Sequence, residues 1–257
     1  MKKLMIAAVA SIAAVGAFAV ESANVVGYQT QDTASSGFAM KAASFETVGA
    51  ADGSATLADI KITGYDPYDE EEDEGGTSGQ FYIQFLNASG KMTATYSWFD
   101  DDVTTGWKSG GVVVDASTVK LPAAGAVWTK GAGFSITSSG AVSDADIVKN
   151  FAAAGFEAVG NTTPVDLKLS DLAVTGYEPY DEEEDEGGTS GQFYIQFLDA
   201  AGKMTATYSW FDDDVTTGWK SGGSVIDATK VTIPAGTGVW TKGAGLTLTI
   251  PTPIPAE

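Results

Sequence analysis

The stretch Thr63–Gly111 recurs as Thr175–Gly223, 112 residues further on, with 46 of its 49 positions identical. Only positions 66/178, 87/199 and 89/201 differ. No other feature restricts the fold as much, because a chain that carries one sequence twice builds one structure twice. The offset continues without a gap to Ile136/Leu248, although only 13 of the last 25 positions match. A period of 112 is too long for a stacked repeat and suits a complete domain. The 257 residues therefore divide into tandem modules at 23–142 and 143–257. Upstream, SFETVG (44–49) aligns with GFEAVG (155–160) after a one-residue shift. The centre was copied or homogenised more recently than its flanks, so verbatim repetition alone is not evidence of importance.

Within each copy the dominant period is two. Phe81, Ile83 and Phe85 alternate with Tyr82, Gln84 and Leu86, and Ala94, Tyr96 and Trp98 alternate with Thr93, Thr95 and Ser97. That is the pattern of half-buried strands. Further strands fit Asp59–Thr63, Val112–Asp115, Ala126–Thr129 and Gly133–Thr137, punctuated by Gly, Pro and Asn/Asp as in a sandwich or barrel. The fold class is all-β: two tandem β-sandwich or barrel-like modules. One short helix is expected at the start of the second, over Asp144–Ala154, with Ser143 as cap and Ile147, Val148 and Phe151 on one face. The strands around Asn87-Ala88-Ser89-Gly90 should form a hairpin with Leu86 opposite Lys91. In that register Phe81 faces Tyr96, Ile83 faces Ala94, Phe85 faces Met92, and Thr77 and Gly75 lie opposite Asp100 and Asp102.

Charge is concentrated near the open end of that hairpin. Of 34 acidic residues, twenty lie at Asp66 and 69–74, Asp100–Asp102, and the equivalent positions of the second copy. The other 14 equal the number of lysines, and Arg is absent, so these segments hold the whole formal charge of −20. In the expected register nine carboxylates converge at one end of each module. Like charges about 6–7 Å apart in water repel by roughly 0.6 kcal/mol per pair before screening. A hard cation relieves this directly, since Ca²⁺ takes six to eight oxygens in flexible geometry. The metal-ligand candidates are Asp69, Glu71, Asp73, Asp100 and Asp102, with Asp181, Glu183, Asp185, Asp212 and Asp214 in the second copy. Ca²⁺ is the candidate cofactor. The spacing is not that of an EF-hand, because Glu74 and Gln80 stand where that loop needs Gly and Glu. A solvated acidic loop is the competing reading.

The aromatic residues beside these acids offer a second ligand class. Trp107, Tyr65 and Tyr68, with Trp219, Tyr177 and Tyr180 in the second copy, form a candidate sugar-stacking platform. Core packing is the alternative for each of them.

Much chemistry is excluded by composition. With no Cys and no His, the chain has no disulfides, no His- or Cys-ligated zinc and no His or Cys catalysis. The acidic balance opposes nucleic acid and anionic lipid. Glycosidase chemistry needs two carboxylates in contrasting environments, and these acids come in runs. Gly76-Thr77-Ser78-Gly79 is not a nucleophile elbow. The expectation is a non-enzymatic protein, with a hydrolase the least favoured reading.

Lys2 and Lys3 followed by the apolar Leu4–Gly16 read as a Sec-type signal within residues 1–22, cleaved after Ala19 or Ser22. No stable membrane insertion is expected after cleavage, which places the mature protein in the periplasm, at the cell surface or outside the cell. Its expected partners are surface or matrix components, glycans among them, and not nucleic acid. Ala23-Asn24-Val25-Val26-Gly27-Tyr28, Val159-Gly160-Asn161 with Pro164, and LPAAGAVW (121–128) with IPAGTGVW (233–240) resemble a group of secreted bacterial proteins. These carry one or two β-rich domains of about a hundred residues and start near Ala-Asn-x-Val-Gly-Tyr. The resemblance covers nearly the whole mature chain and implies export and a β-rich fold. The group has no established activity, so it supplies no site residues, and the acidic run is not part of its pattern.

Overall fold

A computed structural model describes residues 26–33, 38–50, 52, 54–68, 76–77, 79–87, 89–101, 104–121, 123–151, 156–179, 192–199, 202–213 and 217–254. The first copy contributes β1 (Val26–Thr33), β2 (Phe38–Lys41), β3 (Ala55–Thr56), β4 (Ile60–Thr63), β5 (Tyr82–Leu86) and β6 (Met92–Asp100). It continues with β7 (Thr105–Ser109), β8 (Val112–Val113), β9 (Lys120–Leu121), β10 (Val127–Lys130) and β11 (Phe134–Ala141). The second repeats them as β12 (Ile147–Asn150), β13 (Glu157–Gly160), β14 (Leu167–Lys168), β15 (Ala173–Thr175), β16 (Phe193–Leu198) and β17 (Met204–Asp212). Its last strands are β18 (Thr217–Ser221), β19 (Ser224–Val225), β20 (Thr232–Ile233), β21 (Gly238–Lys242) and β22 (Thr247–Ile250).

In each copy a three-stranded sheet (β1-β11-β4 or β12-β22-β15) faces a six-stranded one (β2-β10-β5-β6-β7-β8 or β13-β21-β16-β17-β18-β19). The sheets are open, so the modules are sandwiches. The first core lies between Ile60, Ile62, Phe134 and Ile136 on one sheet and Phe81, Ile83, Trp107 and Val127 on the other. The second core follows the same plan around Val174, Leu248, Phe193, Ile195 and Trp219. Phe81 and Phe193 have no exposed surface, and burying each contributes roughly 2–3 kcal/mol.

The β5–β6 hairpin forms, in a different register from the expected one. Ile83 pairs with Tyr96, Phe85 with Ala94 and Leu86 with Met92, with a bulge between the last two pairs. The cause is the turn. Asn87 Oδ1 accepts from the Ser89 and Lys91 amides, and the Asn87 amide donates to the Lys91 carbonyl at 2.9 Å. Closure therefore spans Asn87–Lys91. The strands slide by two residues beyond the bulge, an even step, so Phe81, Ile83, Tyr96 and Trp98 keep their inward face.

Two other expectations change. Ile147–Asn150 is a strand paired with β22, and the described residues contain no α-helix. Ile147 and Phe151 are both buried, but a four-residue spacing fits either period; Val148, 57% exposed, lies outside and decides for the strand. Glu157–Gly160 pairs with β21 as Phe38–Lys41 pairs with β10. The counterpart of residues 156–160 is thus the stretch around Phe38–Lys41, not SFETVG.

The two copies meet through these same strands. Lys41 bridges Thr237, and Gly125 bridges Val159. The Ala42 amide donates to Gly236 O at 2.8 Å, and the Gly160 amide to Ala124 O at 3.0 Å. The contact is reciprocal: a Cβ on Gly90 would meet the Trp240 ring, and one on Gly202 the Trp128 ring.

Candidate functional site

The stem from which the acidic run leaves is fixed by main-chain bonds. The Tyr68 amide donates to Asp100 O at 3.0 Å, and Tyr68 bridges Asp101 in parallel. On the other side the Thr77 amide donates to Asp66 O at 2.9 Å, and the Asp66 amide to Thr77 Oγ1 at 2.7 Å. The described residues on the two sides of 69–75 are therefore tied to each other and to the end of β6, as a neck. The neck needs glycine at 76: a Cβ there would run into the carbonyl oxygens of Asp66 and Pro67. Asp100 is reached through Tyr68 and not from Thr77, because the shifted register brings Gly79 to the end of β6, its amide donating to Trp98 O at 2.7 Å.

The stem carboxylates are held in place. Tyr65 Oη donates to Asp100 Oδ2 at 2.6 Å, and Thr105 Oγ1 donates to Asp100 Oδ1. Tyr177 Oη donates to Asp212 Oδ2 at 2.7 Å, and Thr217 Oγ1 to Asp212 Oδ1. Burial and then the Asp100 carboxylate push the Tyr65 hydroxyl above its ordinary range, against the indole of Trp98. Asp212 is held below the usual carboxylate range by the bonds from Thr217 and Tyr177. Asp101 accepts from the Thr104 amide at 2.6 Å and pairs with Lys108 at 3.2 Å; Lys108 Nζ lies 4.1 Å from the centre of the Phe99 ring. Asp213, Lys220 and Phe211 repeat this at 3.0 and 3.9 Å.

Of the candidate metal ligands, Asp100 and Asp212 sit in these stems. Asp69, Glu71, Asp73, Asp102, Asp181, Glu183, Asp185 and Asp214 lie outside the described residues, as does Tyr180. Among the described residues, no three acidic side chains are grouped to hold a metal.

The sugar-stacking platform does not assemble. Trp107 and Trp219 are each 2% exposed. Trp107 stacks edge-on against Trp98 at 5.4 Å and near Phe81 at 6.1 Å, inside the sandwich. Its faces are occupied by core residues, and the turn that hinted at exposure is the middle of strand β7. Tyr65 and Tyr177 serve the stem bond described above. Among the described residues the exposed aromatics are Tyr28 on β1, 78% exposed, and Phe38 on β2, while Trp128 and Trp240 are half-buried where the modules meet.

No family model matches the chain, and no curated protein or solved structure matches it. Among the described residues, no helix is long and apolar enough to cross a membrane.

Proposed function

We propose that the protein is an exported, non-enzymatic structural or binding element of the cell surface or extracellular space. Its two acidic loops take up divalent cations, Ca²⁺ first. The observation that supports this is the closed neck. Hydrogen bonds between Asp66 and Thr77, and between Tyr68 and Asp100, pin both ends of an uninterrupted acidic run beside the Asp100–Asp101 corner. Six acids in sequence between two tethered ends repel one another, and a divalent cation offsets that repulsion. The non-enzymatic reading is supported by the stem itself, where Asp100 and Asp101 are engaged by Tyr65, Thr105, Thr104 and Lys108. Groups so occupied suit a scaffold better than proton transfer.

The test is a thermal melt of the mature protein in millimolar Ca²⁺ and in chelator. At tenfold saturation a cation adds about 1.4 kcal/mol per site, a rise of several degrees for modules of this size. Superimposable melts in Ca²⁺ and chelator reject the cation reading.

A further inference from the structure

We propose that the first module holds a halide-sized anion, chloride above all, in the gap between its two sheets, with the Lys41 ammonium and the Ser138 hydroxyl as donors. The site shares no residue with the acidic loops and does not rest on their reading.

Strand pairing builds it. Ala39 and Lys41 pair with Thr129 and Val127, both buried, so their side chains face into the sandwich. Ser138 stands between Gln29 and Ile60 on the opposite sheet. Lys41, Gln31 and Ser138 line one cavity of about 20 Å³, walled by Ile83, Val127 and Ile136. That is room for one body of about water's size. Ser138 is 3% exposed, and neither its hydroxyl nor the Gln31 carbonyl oxygen has a partner among the described residues. Lys41 forms no ion pair there either. Burial lowers its amine below the ordinary lysine range, against the pull of Asp32. Asp32 itself points outward from β1 and accepts from Ser135 at 2.7 Å. Glu46 lines the adjoining cavity without pairing with Lys41.

The second module shows what is missing. By their strand pairings, Gln31, Ala39 and Lys41 take the places of Lys149, Glu157 and Val159, and Ser138 takes that of Ile250. Lys149 Nζ and Glu157 Oε2 form an ion pair at 2.8 Å, joining the two sheets, while Val159 and Ile250 are buried. Each module thus sets one lysine amine between its first two strands. The second supplies a glutamate for it, and the first puts Ala39 where that glutamate would stand. A desolvated ammonium without a counter-charge is costly, and pairing relieves the cost. An anion from solution takes the place of the carboxylate and accepts from Ser138 as well. The ammonium has three donors, which leaves one for the Gln31 oxygen.

The experiment is a thermal melt of the mature full-length chain in chelator, with sodium gluconate exchanged stepwise for sodium chloride at constant ionic strength. Gluconate is too large for the cavity. Chloride at about ten times its dissociation constant should raise the melting temperature by a few degrees. Lys41→Met should remove the response. Ala39→Glu, which supplies the carboxylate from the chain itself, should remove it too, and it keeps the test sound if Lys41→Met fails to fold. In chlorine NMR the parent should broaden the chloride line, and neither variant should. Superimposable melts in chloride and gluconate overturn the proposal, since the amine is then neutral or merely hydrated. A chloride response that Lys41→Met or Ala39→Glu retains also overturns it. With chelator present throughout, none of these outcomes depends on the cation reading.

Discussion

Lys108 is the perturbation that probes the stem most sharply. Its ammonium lies 3.2 Å from Asp101 and 4.1 Å from the Phe99 ring centre, and the two charged side chains are 16% and 15% exposed. At that separation and an effective dielectric of about 20, the gross attraction is about 5 kcal/mol. Desolvating both groups returns roughly half of it, and the ring adds about 1 kcal/mol. Lys108→Met should therefore lower stability by about 2–3 kcal/mol, well beyond the 0–1 kcal/mol of an exposed pair. A double-mutant cycle with Asp101→Asn, read by urea unfolding, should give a coupling energy of about 1.5–2 kcal/mol. Lys220→Met with Asp213→Asn repeats the measurement in the second copy, where the pair spans 3.0 Å. The variant also removes a positive charge beside the acidic run, so Ca²⁺ should stabilise Lys108→Met more than the parent. A coupling below about 0.5 kcal/mol would refute the reasoning, since it would mean that the pair behaves as a surface contact despite its burial.

Two further outcomes follow from the same stem and from the caps. Gly76→Ala should open the neck, because the clashing atoms are main-chain oxygens of Asp66 and Pro67 that cannot step aside; two hydrogen bonds go with it, about 2 kcal/mol, read as a lower melting temperature with a smaller Ca²⁺ response. For pH, Asp52 is pulled down to about 2 by Lys120 and Ser54, and Asp212, Asp115 and Asp227 are lowered by hydroxyl partners. Folded values below the unfolded one, about 3.9, mean that this stabilisation is present above pH about 4 and lost as pH falls through the folded values. These carboxylates are largely solvent-exposed, so the loss is modest: melting temperature should fall gently between pH 4 and 2, and Asp52→Asn should make that limb shallower; an unchanged limb would remove Asp52 from the account.

The sandwich was legible because hydrophobic alternation is strong where it matters: Phe81, Ile83, Tyr96 and Trp98 point inward in both the expected and the observed register. The register itself was not legible, since it depends on where the Asn87 side chain closes the turn. β1 was missed for a different reason. Its inward positions are Gly27, Gln29, Gln31 and Thr33, while Val26 and Tyr28 are 63% and 78% exposed. The inversion arises because this strand's inner side meets polar partners. Gln29 accepts from Ser44, and the Gln31 amide lies against Gly236 of the other module. A pattern reader looks for oil inside, and here the inside is an interface.

Trp107 misled for a reason of its own, while the interface explains why Trp128 did not stand out. A tryptophan in a Thr-Thr-Gly context beside three aspartates reads as exposed, yet β7 is an interior strand and turns Trp107 into the core. Trp128 sits among Val127 and Thr129, both buried, and reads as core itself. Only pairing it with Gln84 and Met40 shows that it faces outward, and only the second copy of the module gives that outward ring a neighbour in Trp240. Two of the three differences within the near-identical block, positions 87/199 and 89/201, fall in the hairpin turns whose glycines touch these tryptophans. The duplication thus does more than double the number of acidic loops. It creates a contact between unlike surroundings, and the surface formed there exists in neither copy alone.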